Sequence, residues 1–497
     1  MFITRHAPVG DFGNYYYGSR LWLDGKFSIS DYQSISHFNE QIASYGEKNF
    51  FENYIPVPPF SLVFYVPFVW LSSLKARFLF NGISLLVFCF SWLRFLKRLP
   101  ELSPRVYLVP WLFLFPLYNN IYHGQTYLLL AAAFMEIYIA MEAGRHLRSG
   151  LLLALCICLK IFPVFLLLYF LFRKAYKGIL YTFVFSGMLM GATALLAGPG
   201  MVGYYVQSVL PRLFQNDIVG PYYYGNQSIY TLLLNLFSAD ALQNKTPYLN
   251  APWLIPVIEG FFDAIVLYVV MAMSSRKNIA LFGITLLASF MVGRYSTSYG
   301  MLMLIPFVVS VTTTEKQSGL TWFILAGVLL AINIPLSYLQ HAPFMLMYWR
   351  ILGLVLIFAI CMALYKPRIS WPVLLVSGML LIAFRYLTFN PEPCRYFEIQ
   401  NTQGILYDYT IKKDSITLVS TLGDHTFMES YLLNGQAKED SLLQASDNMI
   451  LYKGKMISES HDHKQKPFLL NDSLIVCMSD MNQAVGFYKL RYIGKKP

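Results

Sequence analysis

The chain reads as a mainly α-helical, polytopic transmembrane bundle with a small C-terminal β-rich extramembrane domain. Three observations predict this. Of 497 residues, 56% are hydrophobic and only 13% charged, whereas a soluble domain has about one-quarter charged residues. The apolar residues gather in thirteen segments between 54 and 388. Beyond residue 393 the pattern changes to short alternating runs. This composition excludes a disordered chain and a nucleic-acid-binding module, and argues against a water-soluble enzyme. The net charge of +11 has a location: residues 394–497 hold 12 basic and 12 acidic side chains, the rest of the chain 26 and 15. An excess of basic residues among apolar segments is the mark of cytoplasmic loops.

The elements follow in order. Residues 1–53 are polar and aromatic, with no run long enough to span a bilayer. Segment 54–74 holds Pro56, Pro58, Pro59 and Pro67, which predicts a broken or membrane-surface helix. The remaining apolar segments are 78–96, 106–118, 126–143, 149–160, 163–172, 178–197, 252–274, 278–292, 299–313, 320–338, 346–365 and 371–388. A spanning helix needs roughly 20 residues, so several are short, and 149–160 and 163–172 are far short. Basic clusters at Lys97/Arg98/Arg105, Arg145/Arg148, Arg173/Lys174/Lys177, Arg276/Lys277, Lys316 and Lys366/Arg368 alternate with gaps nearly free of charge. That alternation puts the basic loops in the cytoplasm and predicts about twelve crossings. Residues 1–53, loop 198–251 and tail 389–497 then share the extracytoplasmic face of the plasma membrane. The transmembrane domain occupies 54–393. In the tail, GILYDYTI, SITLVSTL, NMILYKGKMIS, DSLIVCMSD and VGFYKLRYIG alternate apolar with polar residues and predict strands. Cys89, Cys156, Cys158 and Cys361 sit in apolar runs as small hydrophobes. Cys394 and Cys477 lie in the tail, where an extracytoplasmic location would permit a disulfide.

The predicted outer face collects polar residues that a bare scaffold does not need. Asp11 and Tyr15 are four apart and would share a helix face; a carboxylate in an aromatic setting suits a general base. The plainer alternative is a helix N-cap, a role that Asp fills well. Asn119-Asn120-Ile121-Tyr122-His123-Gly124-Gln125 joins two apolar segments, and a polar turn would explain it equally well. Lys160, in Leu159-Lys160-Ile161-Phe162-Pro163, tips the two short segments; a charge there needs a partner, and phosphate is a natural one, while snorkelling to the interface is the ordinary use. Gly225-Asn226-Gln227-Ser228 follows Tyr222-Tyr223-Tyr224 at the end of the long loop. Its amides suit sugar hydroxyls, although Asn-Gln-Ser is also a weak glycosylation pattern and a tyrosine run is often an interfacial belt.

Taken in order, Asp11-Phe12 with Tyr15-Tyr16, Pro58-Pro59-Phe60, Gly124-Gln125, Leu159-Lys160 with Pro163, and Gly225-Asn226-Gln227-Ser228 resemble glycosyltransferase family 87, polytopic enzymes of the GT-C class. The resemblance runs from about Asp11 to Phe237 and weakly beyond. It implies a polyprenyl-phosphate-sugar donor, commonly mannose and in some members arabinofuranose, a glycan or glycolipid acceptor, and inversion on the outer face without a metal or other cofactor. Asp11 would be the base and Lys160 would face the leaving phosphate. Tyr15, His123, Gln125, Asn226, Gln227 and Arg294 would bind substrate. Two departures stand out. Members carry a transmembrane helix before the aspartate, where this sequence has ten residues, which leaves a start further upstream open. Gly293-Arg294-Tyr295-Ser296-Thr297-Ser298-Tyr299 stands where members have a Ser-Trp-His-His segment, so Arg294 and Tyr299 would substitute. Two other classes compete. A transporter or lipid flippase predicts repeated halves, and the sequence has no repeat. A glycan polymerase or ligase with a diphosphate-linked donor would lean on outer-loop arginines, for which Arg212 and Arg294 are the candidates.

Overall fold

The structure is a computed structural model. It describes residues 9–389 apart from 48–49, 100–102, 216–219, 277, 295, 315–318, 340–341 and 369. In the tail it describes 405–412, 415–422, 425–433, 437, 440–446, 449–459, 463–471, 474–480, 483 and 487–495. Tyr295 and Cys394 therefore lie outside the described residues, as does the pairing of Cys394 with Cys477.

Among the described residues, four helices are long and apolar enough to cross a membrane: Ser73–Leu96, Tyr176–Ala197, Leu254–Ser275 and Trp371–Thr388. About twelve were read from the sequence. The difference lies in helix length. His146–Leu159, Phe162–Phe172, Asn278–Val292, Tyr299–Thr313, Gly319–Ile332 and Trp349–Tyr365 are apolar but have 10–17 residues. Prolines account for part of this shortening. Pro104–Phe113 is wound as a 3₁₀ helix with Pro110 inside it, and segment 54–74 breaks into Phe60–Phe64 and Val66–Phe68, as its prolines predict.

The centre of the bundle is Asn278–Val292, in which every residue from Ile279 to Met291 is buried. A helix apolar on all sides belongs in such a place. The outer wall has the opposite character. Tyr176–Ala197 buries only Gly178, Thr182 and Thr193 and leaves Leu180, Phe183, Met188 and Leu195 bare, a surface suited to lipid. It packs on His146–Leu159 through small residues. A Cβ added to Gly150 would lie 2.6 Å from Tyr181 and 2.9 Å from the Gly178 carbonyl, so the two backbones approach closely.

Among the described residues the tail forms three antiparallel sheets of three strands each. They are β1 (Ile405–Lys412), β2 (Ser415–Leu422) and β3 (His425–Leu432); β4 (Leu443–Ser446), β5 (Met449–Tyr452) and β6 (Lys455–Glu459); and β7 (Lys464–Asn471), β8 (Leu474–Ser479) and β9 (Lys489–Lys495). The third sheet is the middle layer. Phe468, Val476 and Met478 pack with Leu406, Ile416 and Leu418, whereas Leu469, Ile475 and Cys477 pack with Leu443, Ile450 and Tyr452. This is the period-two alternation of a strand buried on both faces.

The β-rich domain docks on the N-terminal loops. The Tyr488 hydroxyl donates to the Gln33 carbonyl at 2.6 Å, Ser36 and Thr421 share a hydroxyl bond of 2.7 Å, and Ile405 packs with Ile35 and Ile55. Arg212 lies 2.7 Å from Asp480. The N-terminal loops, the long loop and the tail therefore meet on one side of the bundle.

Candidate active site

Asp11 opens the helix Phe12–Leu23, but its side chain makes no capping bond. The N-cap alternative therefore fails for its carboxylate, which turns the other way. Gln125 Nε2 donates to Asp11 Oδ2 at 2.6 Å, and the Tyr299 hydroxyl donates to the same oxygen at 3.3 Å. Oδ1 lies 3.9 Å from His123 Nδ1. The Tyr15 hydroxyl donates to Gln125 Oε1 at 3.0 Å. One amide thus bridges the residues at i and i+4 of the N-terminal segment. Burial first, and the Asp11 charge second, push the Tyr15 phenol up, so Tyr15 remains a hydrogen-bond donor.

The turn that delivers Gln125 is built for this approach. Helix Leu114–His123 ends at Gly124 in the left-handed region, φ 64°, where glycine is the natural residue. A Cβ there would lie 2.6 Å from Phe12 Cβ. Two polar residues of the long helix Ser73–Leu96 hold the turn from behind. Arg77 Nη1 donates to the Tyr122 carbonyl at 3.1 Å and Asn81 Nδ2 to the Ile121 carbonyl at 2.8 Å. Asn119 donates to the Ser298 hydroxyl and so ties the turn to the loop that carries Tyr299.

These residues border a cavity of about 240 Å³ lined by Asp11, Asn14, Tyr15, Asn53, Gln125, Tyr127, Lys160, Tyr205 and Tyr299, with Pro56, Val57, Pro58, Ile161, Phe162 and Leu213 as its apolar wall. Few polar groups in a largely apolar cleft is the usual composition of a small-molecule site. Lys160 ends helix His146–Leu159 in extended backbone. Its ammonium lies 5.4 Å from the Tyr15 ring centroid and 5.7 Å from that of Tyr127, and no carboxylate pairs with it among the described residues. Tyr205 begins a single π-helical turn, Tyr205–Val209, a distortion frequent at functional sites.

A family model, Glycosyltransferase family 87, matches residues 57–304. The chain belongs to glycosyltransferase family 87. It is an enzyme of the transferase class and a membrane glycosyltransferase. No curated protein and no solved structure matches it. The matched stretch of this glycosyltransferase holds Gln125, Lys160 and Tyr299 and stops short of Asp11 and Tyr15.

The sequence-predicted site residues divide into two sets. Asp11, Tyr15, Gln125 and Lys160 line one cavity, with His123 beside Asp11. Asn226, Gln227 and Arg294 do not line it, because framework contacts occupy their polar atoms. Asn226 Nδ2 donates to the Arg294 carbonyl at 2.9 Å, and its Oδ1 accepts from Ser296 N at 3.0 Å. Gln227 Nε2 donates to the Tyr224 and Met347 carbonyls, and its Oε1 accepts from Arg350 N. Arg294 makes two bonds of 2.7 Å to Glu259 and lies 4.1 Å from the Tyr230 ring centroid. Arg385 completes the cluster, 2.5 Å from Asp263 and 3.5 Å from Glu259. Two cations and two carboxylates cancel in charge and anchor the loop that ends at Tyr299. Of the two substitutes read for the family segment, Tyr299 reaches the cavity and Arg294 supports it. Sequence reasoning missed Arg77, Asn81, Tyr127 and Tyr205. Arg77 and Asn81, four apart in an apolar helix, did carry a signal, since polar residues in such a helix face the bundle interior.

Proposed function

We propose that this glycosyltransferase moves a hexose, mannose first among them, from a polyprenyl-phosphate-sugar to a glycan or glycolipid acceptor at the extracytoplasmic membrane face, with inversion. Asp11 is the general base. It takes the proton of an acceptor hydroxyl while that oxygen bonds to the anomeric carbon. The bond from that carbon to the phosphate oxygen breaks on the opposite side, and the phosphate leaves with the electron pair. Lys160 supplies the positive charge for the leaving phosphate, a point charge suited to it. Gln125 and Tyr299 hold Asp11 Oδ2, which leaves Oδ1 for the incoming hydroxyl.

The observation that carries this reading is one small cavity holding a partly exposed carboxylate, fixed by two donors, and a lysine with no ion pair among the described residues. A diphosphate-linked donor finds less support. Arg212 and Arg294, the arginines that such a reading needs, are committed to Asp480 and Glu259.

The test is a panel of radiolabelled polyprenyl-phosphate sugars and nucleotide sugars, given to membranes containing the protein. Transfer from a polyprenyl-phosphate sugar is the expected result. Asp11→Asn should abolish it at normal expression, since a positioned base contributes about 10²- to 10⁴-fold. Lys160→Met should lower the rate with a polyprenyl-phosphate donor. Transfer only from nucleotide sugars, or a fully active Asp11→Asn protein, refutes the proposal.

A further inference from the structure

Asp11 immediately precedes the helix Phe12–Leu23, yet its side chain does not cap it. Another carboxyl group fills the place. Glu52 is 3% exposed, and its carboxyl lies directly against the first turn of Phe12–Leu23. A Cβ added to Gly13 would sit 2.0 Å from Glu52 Oε1 and 2.7 Å from Oε2. The backbone N–H of Asn14 faces the Glu52 carboxyl and favours its charged form. Such donors are left open at a helix start, and a carboxyl group is a favoured acceptor for them.

The chain around Glu52 is strapped in place. Asn39 Nδ2 donates to the Glu52 carbonyl at 2.8 Å, and the Glu52 N–H donates to Asn39 Oδ1 at 3.0 Å. One residue on, the Asn53 N–H donates to Asn14 Oδ1 at 2.5 Å, so segment 52–53 and the first helical turn move together. Among the described residues no Arg, Lys or His pairs with Glu52. A buried carboxyl with a backbone donor and no cation is built to hold a backbone position and has no ion pair to contribute.

We propose that Glu52 is the positioning residue for the candidate base: it occupies the helix N-terminus in place of Asp11 and thereby leaves the Asp11 side chain turned into the cavity. This rests on the reading of Asp11 as base. Burial, and then the charge of Asp11, raise the Glu52 carboxyl well above the usual carboxylate range, partly offset by the Asn14 N–H. A protonated Glu52 still offers its carbonyl oxygen to Asn14 and adds no second negative charge beside Asp11. A glutamine side chain offers the same oxygen. Alanine leaves the helix end open, and Asp11 is then the nearest side chain able to fold back and cap it.

The experiment uses the full chain in native-lipid nanodiscs, with polyprenyl-phosphate-[³H]mannose, or the labelled sugar donor that the panel selects, and a membrane extract as acceptor. Glu52→Ala should lower kcat 10- to 100-fold and leave the donor KM within twofold, because about 1 Å of misplacement costs on that order. Glu52→Gln should restore most of the loss. Gly13→Ala, which pushes the carboxyl out, should reproduce the Glu52→Ala defect and add little to it in the double variant. Hydrogen exchange at the Asn14 amide, which needs no substrate, should quicken at least tenfold in Glu52→Ala and Gly13→Ala but not in Glu52→Gln. Wild-type kcat and wild-type exchange in Glu52→Ala would overturn the inference. So would an equal loss in Glu52→Ala and Glu52→Gln with a raised KM and a lowered Tm. An Asp11→Asn control separates the two claims. If that variant is active, the base assignment falls and this inference with it; if it is dead while Glu52→Ala is normal, only this inference falls.

Discussion

Replacing Gln125 by leucine tests the centre of the site with one amide. The side chain is 5% exposed and makes two bonds in opposite directions, donating to Asp11 at 2.6 Å and accepting from Tyr15 at 3.0 Å. Leucine keeps the volume approximately and removes both. A hydrogen bond to a charged group contributes about 1.5–3 kcal/mol. After the change, Asp11 keeps only the longer Tyr299 contact of 3.3 Å. The Tyr15 hydroxyl has the Thr126 side chain as its remaining neighbour, so its loss is partial. Folding should therefore weaken by about 1–3 kcal/mol. The rate should fall more steeply than stability alone implies, because the carboxylate loses its fixed direction; 1.5–3 kcal/mol of lost orientation corresponds to roughly 10- to 150-fold in kcat. Gln125→Asn, one methylene short of Asp11, should behave like leucine although its chemistry is the same. The assay is transfer from the labelled donor at saturation, normalised to folded protein, beside a thermal melt in the same lipid. A Gln125→Leu enzyme with kcat within twofold of wild type would refute the claim that this amide aims the base.

Three further outcomes follow from the same contacts. Gly124→Ala places a Cβ 2.6 Å from Phe12 Cβ at a backbone with φ +64°; left-handed strain of about 1–2 kcal/mol and overpacking of about 1–3 kcal/mol should lower the Tm and the activity together, and an unchanged melt would contradict the geometry. Glu259→Gln leaves the buried Arg294 guanidinium without its two 2.7 Å bonds to a carboxylate and should cost about 3–5 kcal/mol, while Glu259→Met with Arg294→Met should recover much of it; a double variant as unstable as the single one would show that packing, not charge, decides. Glu52 supplies a pH dependence: its folded-state carboxyl is raised by burial and by Asp11, so the folded protein binds a proton that the unfolded chain has released, and stability falls as pH rises above the usual carboxylate range. Glu52→Gln should flatten that slope and gain on wild type as pH rises, measured as Tm against pH; parallel curves would refute it.

Much of this arrangement was legible in the sequence, and what was not has a common cause. Asp11, Gln125 and Lys160 are polar residues placed where apolar segments end, and the cavity joins them. The prolines of 54–74 and the alternation in β1, β2 and β8 gave local structure directly, because each is a short-range effect of sterics or of the strand period. The count of crossings was less legible, since hydropathy reports an apolar run but not whether proline and 3₁₀ turns divide it. Arg294, Asn226 and Gln227 show a second limit. Residue type says that a guanidinium or amide must be satisfied when buried, not whether substrate or protein satisfies it. The missing information was present elsewhere: Glu259 and Asp263, four apart within an apolar segment, needed buried cations, and Arg294 and Arg385 meet that need. Two acids on one face of an apolar helix thus imply where two arginines are committed, which removes Arg294 from the substrate side.

The same reasoning bears on Asp11, the proposed base. The family match begins at residue 57, after Asp11, yet the groups that fix Asp11 come from the matched stretch: Gln125 and Tyr299 by direct bonds, and Arg77 and Asn81 by holding the turn before Gln125. A solvent-facing loop aspartate would need none of these. Four polar side chains from three separate parts of the bundle converge on the Asp11 carboxylate or on the turn beside it, and Lys160 stands across the same cavity with no carboxylate of its own among the described residues. Buried polar groups are costly unless satisfied, so their concentration here, behind one partly exposed carboxylate, is better explained by positioning than by stability. If it were stability alone, Asp11→Asn, which keeps the side-chain volume and one oxygen to accept from Gln125 and Tyr299, should leave the fold intact and the activity intact as well; the positioning argument requires that the fold survive and the activity vanish.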